Sequence, residues 1–137
     1  VYTELASASA VVFAGEDEAR LLTGSAARDV EELVTDLAAA SGGDAVLKLG
    51  ADGCLAVIDG ERHRVPAVPV TVVDTVGAGD AFVAGYLTEL LNGCSPLDRL
   101  RTAVRCGALA CMGSGDWESL PTRRDLELLT AAEGTYR

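Results

Sequence analysis

The sequence predicts a layered α/β fold, a sheet with helices on both faces, and two observations carry that prediction. The continuous apolar run at residues 10–14 (Ala-Val-Val-Phe-Ala) reads as a strand covered on both sides, and residues 45–49 (Ala-Val-Leu-Lys-Leu) as a second buried strand. Segments with apolar residues at helical spacing lie between and after them, so strands and helices alternate along the chain. The 137 residues, 49% of them hydrophobic, fit one domain, and no repeat or low-complexity linker marks a boundary within 1–137.

The elements follow in order. Residues 1–6 read as the end of a helix with no N-cap in front, an opening that suggests a fragment. After the first strand Gly15 turns the chain. Glu16, Asp17 and Glu18 then open a short helix where acids suit the positive end of its dipole, and Thr23-Gly24 closes it. Residues 28–40 carry Val30, Leu33, Val34 and Leu37 at helical spacing and stop at Ser41-Gly42-Gly43. The second strand ends in Gly50-Ala51-Asp52-Gly53, which leads to residues 54–58. Asp59-Gly60 then joins these to 62–65 as a hairpin, with His63 a solvated residue of its polar arm. Pro66 and Pro69 bracket a short edge or crossover segment, and residues 70–73 extend toward Asp74. Residues 79–92 are apolar nearly all round, through Phe82, Val83, Tyr86, Leu87, Leu90 and Leu91, which predicts a buried helix. Ser95-Pro96-Leu97-Asp98 sets an N-cap, an N1 proline and an N3 acid before a helix expected to bury Leu97, Leu100, Val104, Ala108 and Cys111. Gly113-Ser114-Gly115 is a loop, and residues 122–125 cap a last helix through Leu126 and Leu129.

Composition excludes several function classes. With 21 Asp plus Glu against 11 Lys plus Arg, the net charge of -10 repels nucleic acid and anionic membrane surfaces. Apolar runs are too short for a transmembrane helix, and no basic segment precedes an apolar stretch as in a secretory signal. Cys54, Cys94, Cys106 and Cys111 form no C-x-x-C pair, and with one histidine no zinc site has ligands at usable spacing. A chain this apolar needs no disulfide staples, so free thiols in a reducing, cytoplasmic compartment are expected.

Asp74-Thr75-Val76-Gly77-Ala78-Gly79-Asp80 is the strongest local signal. An extended apolar segment ends there and a helix begins. Small residues at such a junction let another molecule approach the backbone closely. Their N–H groups lie at a helix N-terminus, where anions bind. Asp80 puts a carboxylate beside that site. A loop that only held phosphate would not place one there, because the charges repel. A general base needs that position, to take a proton from an attacking hydroxyl while the backbone holds phosphoryl charge. On local physics alone, a structural turn with an acid in the first helical turn accounts for the same residues equally well.

These residues resemble the C-terminal signature D-T-x-G-A-G-D of the ribokinase-like (PfkB-type) carbohydrate kinases. Lys48-Leu49-Gly50-Ala51-Asp52-Gly53 is similar to the family's strand-end G-x-x-G. Residues 16–24 resemble its N-x-x-E helix start. Gly115-Asp116-Trp117 with Leu120-Pro121 resembles its C-terminal loop, nearest the 2-keto-3-deoxygluconate kinase branch. The motifs stand in family order across almost the whole chain.

The resemblance implies the C-terminal portion of a three-layer α/β/α ribokinase-like fold. It further implies ATP-dependent phosphorylation of a sugar or sugar-acid hydroxyl. Asp80 would be the base, and Gly77, Ala78 and Gly79 the anion hole. Lys48, Gly50, Asp52 and Gly53 would line the ATP site, with Val104 bordering adenine. Glu18 would act on magnesium through water. A monovalent cation such as potassium would be held by the Asp74 side chain, the carbonyls of Val76, Ala110, Gly113 and Gly115, and the Ser119 hydroxyl. Gly15 stands where the motif has Asn. The family's N-terminal half, with its lid and most of its sugar-binding residues, is not represented in the chain. A homo-oligomer, or association with that missing half, is therefore expected. Two rival readings remain at this point: a non-catalytic nucleotide-binding remnant or regulatory module, and an unrelated α/β domain with a structural glycine turn.

Overall fold

A computed structural model describes residues 1–27, 29–115, 118 and 120–135. Arg28, Asp116, Trp117, Ser119 and the last two residues lie outside the described residues. The chain divides into two compact units, Val1–Pro66 and Ala67–Arg137.

In the first unit, α1 (Tyr2–Ser7) precedes a four-stranded sheet in the order β1 (Val11–Gly15), β2 (Asp44–Lys48), β3 (Cys54–Ile58), β4 (Glu61–Val65). β1 and β2 run parallel, with Phe13 opposite Val46, and the crossover that parallel pairing requires is supplied by α2 (Glu16–Thr23) and α3 (Val30–Ala40). β3 pairs antiparallel with both β2 and β4.

Alternation along each strand sorts side chains between two faces. Val12, Ala14, Ala45, Leu47, Leu55 and Val57 meet Leu33, Val34 and Leu37 of α3 in one core. Each of those three α3 side chains is fully buried, a gain of about 1.5–3 kcal/mol apiece. Val46, Cys54, Ala56 and Ile58, on the opposite face, are also buried, so β2 and β3 are covered on both sides as their composition predicts. β1 differs. Val11, Val12 and Phe13 are only half-buried, because β1 is an edge whose sole hydrogen-bonded neighbour among the described residues is β2.

The turns follow local chemistry. Gly24 closes α2 in the left-handed region with φ 64°. Asp29 caps α3 by accepting from the Glu32 N–H at 2.9 Å. Asp59 and Gly60 both have positive φ, 52° and 79°, the conformation a two-residue hairpin loop demands. On β4 the outward arginines clamp α3, Arg64 to Glu31 at 2.9 Å and Arg62 to Thr35 Oγ1 at 2.6 Å. His63, expected to be solvated, is half-buried opposite Ala56, and its Nε2 is buried with no hydrogen-bond partner among the described residues. Alternation places it on the face away from the arginines, so polar neighbours in sequence did not report its surroundings.

The second unit begins with residues 67–77 in irregular conformation, followed by α4 (Ala78–Leu91), α5 (Pro96–Ala110) and α6 (Arg123–Thr135). Ser95 caps α5 through the Asp98 N–H, and Thr122 and Asp125 exchange hydrogen bonds at the start of α6. α4 and α5 cross closely because small residues sit at the contact. A Cβ built on Gly85 would lie 2.8 Å from the Cys106 sulfur, and one on Gly107 would lie 3.3 Å from the Ala78 carbonyl oxygen.

That close crossing corrects two expectations. α4 is not buried all round: Ala81, Phe82, Gly85 and Tyr86 are buried, whereas Leu87 and Leu91 are 38% and 87% exposed. On α5 the buried stripe is Leu100, Ala103, Val104, Cys106 and Ala110, while Leu97, Ala108 and Cys111 are half-buried. The small residues, rather than the largest apolar ones, face the partner helix. The four cysteines are free.

Candidate functional site

In the first unit, the carboxyl ends of β1 and β2 place two expected residues side by side. Gly15 lies opposite Lys48 in the register. Glu18, in the first turn of α2, reaches back so that its Oε2 accepts the Gly15 N–H at 2.6 Å. The same oxygen lies 4.0 Å from Lys48 Nζ, an ion pair that local sequence patterns do not announce. Glu18 is largely exposed, so the pair contributes little to stability and leaves the carboxylate open to ligands. The ends of strands adjacent to a crossover are where open α/β sheets bind ligands.

After β2 the chain makes a tight 3₁₀ turn, Gly50–Asp52. The Leu49 N–H donates to the Gly53 carbonyl at 2.9 Å and the Asp52 N–H to Leu49 at 3.0 Å. Gly50 and Gly53 have φ of 55° and 89°, where a side chain would strain the backbone. The turn presents Gly50, Ala51 and Asp52 as an exposed surface.

In the second unit the residues of the strongest motif converge. Gly77 stands at the N-cap of α4 with φ 77°, a conformation glycine adopts without cost. The Ala78 N–H donates to the Thr75 carbonyl at 3.3 Å. Among the described residues the N–H groups of Gly77, Gly79 and Asp80 have no partner, so they are available to an anion at the positive end of the helix. Asp80 is the acid of that first turn. Its side chain is exposed and makes no hydrogen bond or ion pair with any described residue.

Asp74 organises the loop beneath. Its Oδ1 accepts the Val76 N–H at 3.1 Å and its Oδ2 the Gly115 N–H at 3.4 Å. These bonds, Val76's first and then Gly115's, with a further one from Thr75, hold its carboxyl below the usual carboxylate range. The Val73 and Asp74 N–H groups both donate to the Cys111 carbonyl, at 2.8 and 3.2 Å. Asp74, Val76 and Gly115 of the expected cation set thus lie together, through the N–H groups of Val76 and Gly115 rather than the carbonyls expected as ligands, and Cys111 ties Asp74 to the end of α5, next to Ala110. Gly113 lies in the bend that follows, and Ser119 lies outside the described residues. Val104 is buried within α5.

Sequence reasoning missed Glu89. It is the buried charged residue of the described chain, 7% exposed, in a helix read as uniformly apolar. Cys94 Sγ donates to its Oε2 at 3.0 Å and Arg123 Nη2 to its Oε1 at 3.1 Å. The Cys94 thiol and Arg123 hold its carboxyl below the usual range. A lone acid among leucines was the only available signal.

Comparison with known proteins decides the family. The model of the pfkB family carbohydrate kinases matches residues 1–123. The chain belongs to that family. Among pfkB relatives, it is 38% identical over 125 residues to a fructokinase of Escherichia coli, covering 85% of this chain and 40% of that protein. It is 34% identical over 134 residues to 2-dehydro-3-deoxygluconokinase of Bacillus subtilis, covering 96% of this chain and 40% of that one. The chain therefore spans about two fifths of the length of these curated pfkB relatives. Its fold is ribokinase-like. The structure of Arabidopsis thaliana ribokinase complexed with ribose and ATP aligns at a TM-score of 0.84 and 30% identity, over 93% of this chain and 42% of that one. That of Vibrio cholerae fructokinase, bound to fructose, ADP and calcium, aligns at 0.80 and 32%, over 92% and 42%.

Proposed function

We propose that this pfkB chain is the nucleotide-binding and phosphoryl-transfer portion of an ATP-dependent kinase acting on a sugar or sugar acid. The observation that carries the reading is the start of α4, where unpartnered amides stand beside an exposed, unengaged carboxylate. The open Gly77 and Gly79 amides, joined by that of Ala78 once it leaves its 3.3 Å bond to Thr75, would receive the charge of the moving phosphoryl group, and Asp80 would take the proton of the substrate hydroxyl as its oxygen attacks in line and displaces ADP. Positioning and charge stabilisation supply most of the rate in such transfers. Lys48, the family's nucleotide-contacting turn Gly50–Asp52 and Gly53 would meet the nucleotide phosphates, Lys48 as the cation and the turn through its exposed backbone, and Val104 would border the base.

The residues present fit the ions the family implies. Glu18 Oε2 caps α2, while Oε1 has no hydrogen bond among the described residues, which suits contact with magnesium through water. Bound magnesium supplies neutralisation of polyphosphate charge. Asp74 is a carboxylate held ionised by the Val76 and Gly115 N–H groups, and with the carbonyls of Val76, Ala110, Gly113 and Gly115 it would offer oxygen donors of the kind that suit a large, weakly hydrated cation such as potassium.

A second reading, a non-catalytic nucleotide-binding module, is favoured by Gly15 in place of the motif's Asn. The polar contact that Asn would supply is gone, although a Cβ there would meet nothing nearer than Glu18 Oε2 at 3.5 Å.

Incubating the chain with magnesium ATP, potassium and a panel of fructose, ribose and 2-keto-3-deoxygluconate, alone and with the N-terminal half of a pfkB relative added, separates the two. Phosphorylated sugar supports the kinase, and calorimetric ATP binding with no product supports the module. In a preparation with turnover, Asp80→Asn is expected to lower kcat at least about a hundredfold, the scale of one general base, with ATP affinity within about twofold. Near-normal turnover in that variant removes Asp80 from the role.

A further inference from the structure

The proposed chemistry leaves Glu89 without a task, yet a carboxylate withdrawn from water is costly unless its partners are well placed. Its side-chain partners, Cys94, Arg123 and Asn92, come from different places. Cys94 follows α4 directly, so its thiol closes a local loop. Arg123 is the first residue of α6. A cation in a first helical turn opposes the helix dipole, so the helix itself gives no reason for Arg123 there. Glu89 does.

The consequence lies in the segment that joins α5 to α6. Among the described residues it is held at these points. The Cys111 carbonyl receives the Val73 and Asp74 amides, the Gly115 N–H donates to Asp74, and Arg123 reaches Glu89. The first two tie the segment to the loop beneath the α4 N-terminus. The third secures its far end to α4 itself, nine residues beyond Asp80 and about 14 Å along the helix axis. Leu120, Pro121 and Leu126 line a groove with Ala81, Gly85 and Glu89, so the segment returns along the helix that carries the phosphoryl site.

We propose that Glu89 is a positioning residue. Through Arg123 it anchors the returning end of this segment, and so keeps the Gly115 amide on Asp74 beside the anion-binding amides of α4. The proposal rests on the reading of that helix start as the phosphoryl site. Glu89 itself touches no reactant.

Arg123 is largely exposed, so its replacement spares the core and separates anchoring from folding. The test compares the 137-residue chain with Arg123→Ala, Arg123→Lys and Glu89→Gln by residue-resolved amide exchange and by calorimetric titration with ADP in potassium buffer. In Arg123→Ala the Gly115 and Val73 amides are expected to exchange about tenfold faster while Ala103 and Val104 inside α5 keep their rates, as local opening requires. Arg123→Lys should recover most of the protection, and Glu89→Gln should match Arg123→Ala. ADP affinity should fall and recover in the same order. Unchanged Gly115 exchange in Arg123→Ala, or equal acceleration of Gly115 and the α5 amides, overturns the anchor. Loosened Gly115 exchange with unchanged ADP affinity overturns its link to the site. Absence of ADP binding in the unsubstituted chain would sink the functional reading instead, leaving the exchange result to stand by itself.

Discussion

Cys54 shows how one residue's surroundings set a measurable property. It is fully buried at the start of β3, and burial pushes its thiol up to about 12 from 9.0, partly offset by a backbone hydrogen bond from Val65. The unfolded chain releases that proton near pH 9 and the folded chain retains it, so stability is intact below pH 9 and falls as pH rises toward 12. The upper bound on the loss is about 4 kcal/mol, at about 1.4 kcal/mol for each pH unit across that window. Cys94 and Cys106 are raised as well, Cys94 first by its bond to Glu89 and Cys106 by burial. Urea midpoints measured from about pH 8 to about pH 10.5 should therefore decline, and Cys54→Ala should decline less steeply from whatever value it has at the lower end. Parallel slopes in the two proteins would show that Cys54 does not carry the effect.

At the level of elements, the α4–α5 crossing is set by Gly85. Alanine is the better helix former by about 1 kcal/mol, which taken alone predicts that Gly85→Ala stabilises. Against it, the new methyl would stand 2.8 Å from the Cys106 sulfur and 3.2 Å from the Ala103 Cα, and the second of these is backbone that cannot rotate away. Overpacking of that kind costs about 1–3 kcal/mol, so the substitution is expected to destabilise on balance. The cost should shrink in a Cys106→Ala background, which removes the nearer atom, and a thermal-denaturation double-mutant cycle reads that coupling. Additive effects would mean the helices spread without resistance. The same crossing explains why α4 exposes Leu87 and Leu91 although its composition is apolar throughout. Close approach through small residues turns one face inward and leaves the opposite one open.

For the molecule as a whole, β1 is decisive. It is the end strand of the sheet, with no further strand beside it among the described residues, and its Val11 and Val12 are only half-buried, a strand edge of the kind that recruits further strands. We propose that the chain associates through this edge, with itself or with a segment supplying the adjoining strand. The charge of -10 opposes self-association at low salt, so sedimentation should show larger species as screening rises from about 0.02 to about 0.5 M salt. Monomers at every salt concentration would count against it. No helix among the described residues is long and apolar enough to cross a membrane.

The sequence by itself determined whatever depends on neighbours a few residues apart. It placed the strands, the glycine turns, the hairpin loop, the helix caps and the junction at Asp74–Asp80 close to where the structure has them, because φ preferences and capping bonds act over one turn of chain. Family membership was legible for the same reason, since its motifs are local. Tertiary structure alone decided which groups of distant residues meet. Glu89 with Arg123, Asp74 with Gly115, Val73 with Cys111 and the half-buried ring of His63 all depend on how separate elements pack. The open face of α4 belongs with them, since hydropathy records what a side chain is, whereas burial depends on which partner arrives and how closely its backbone can approach.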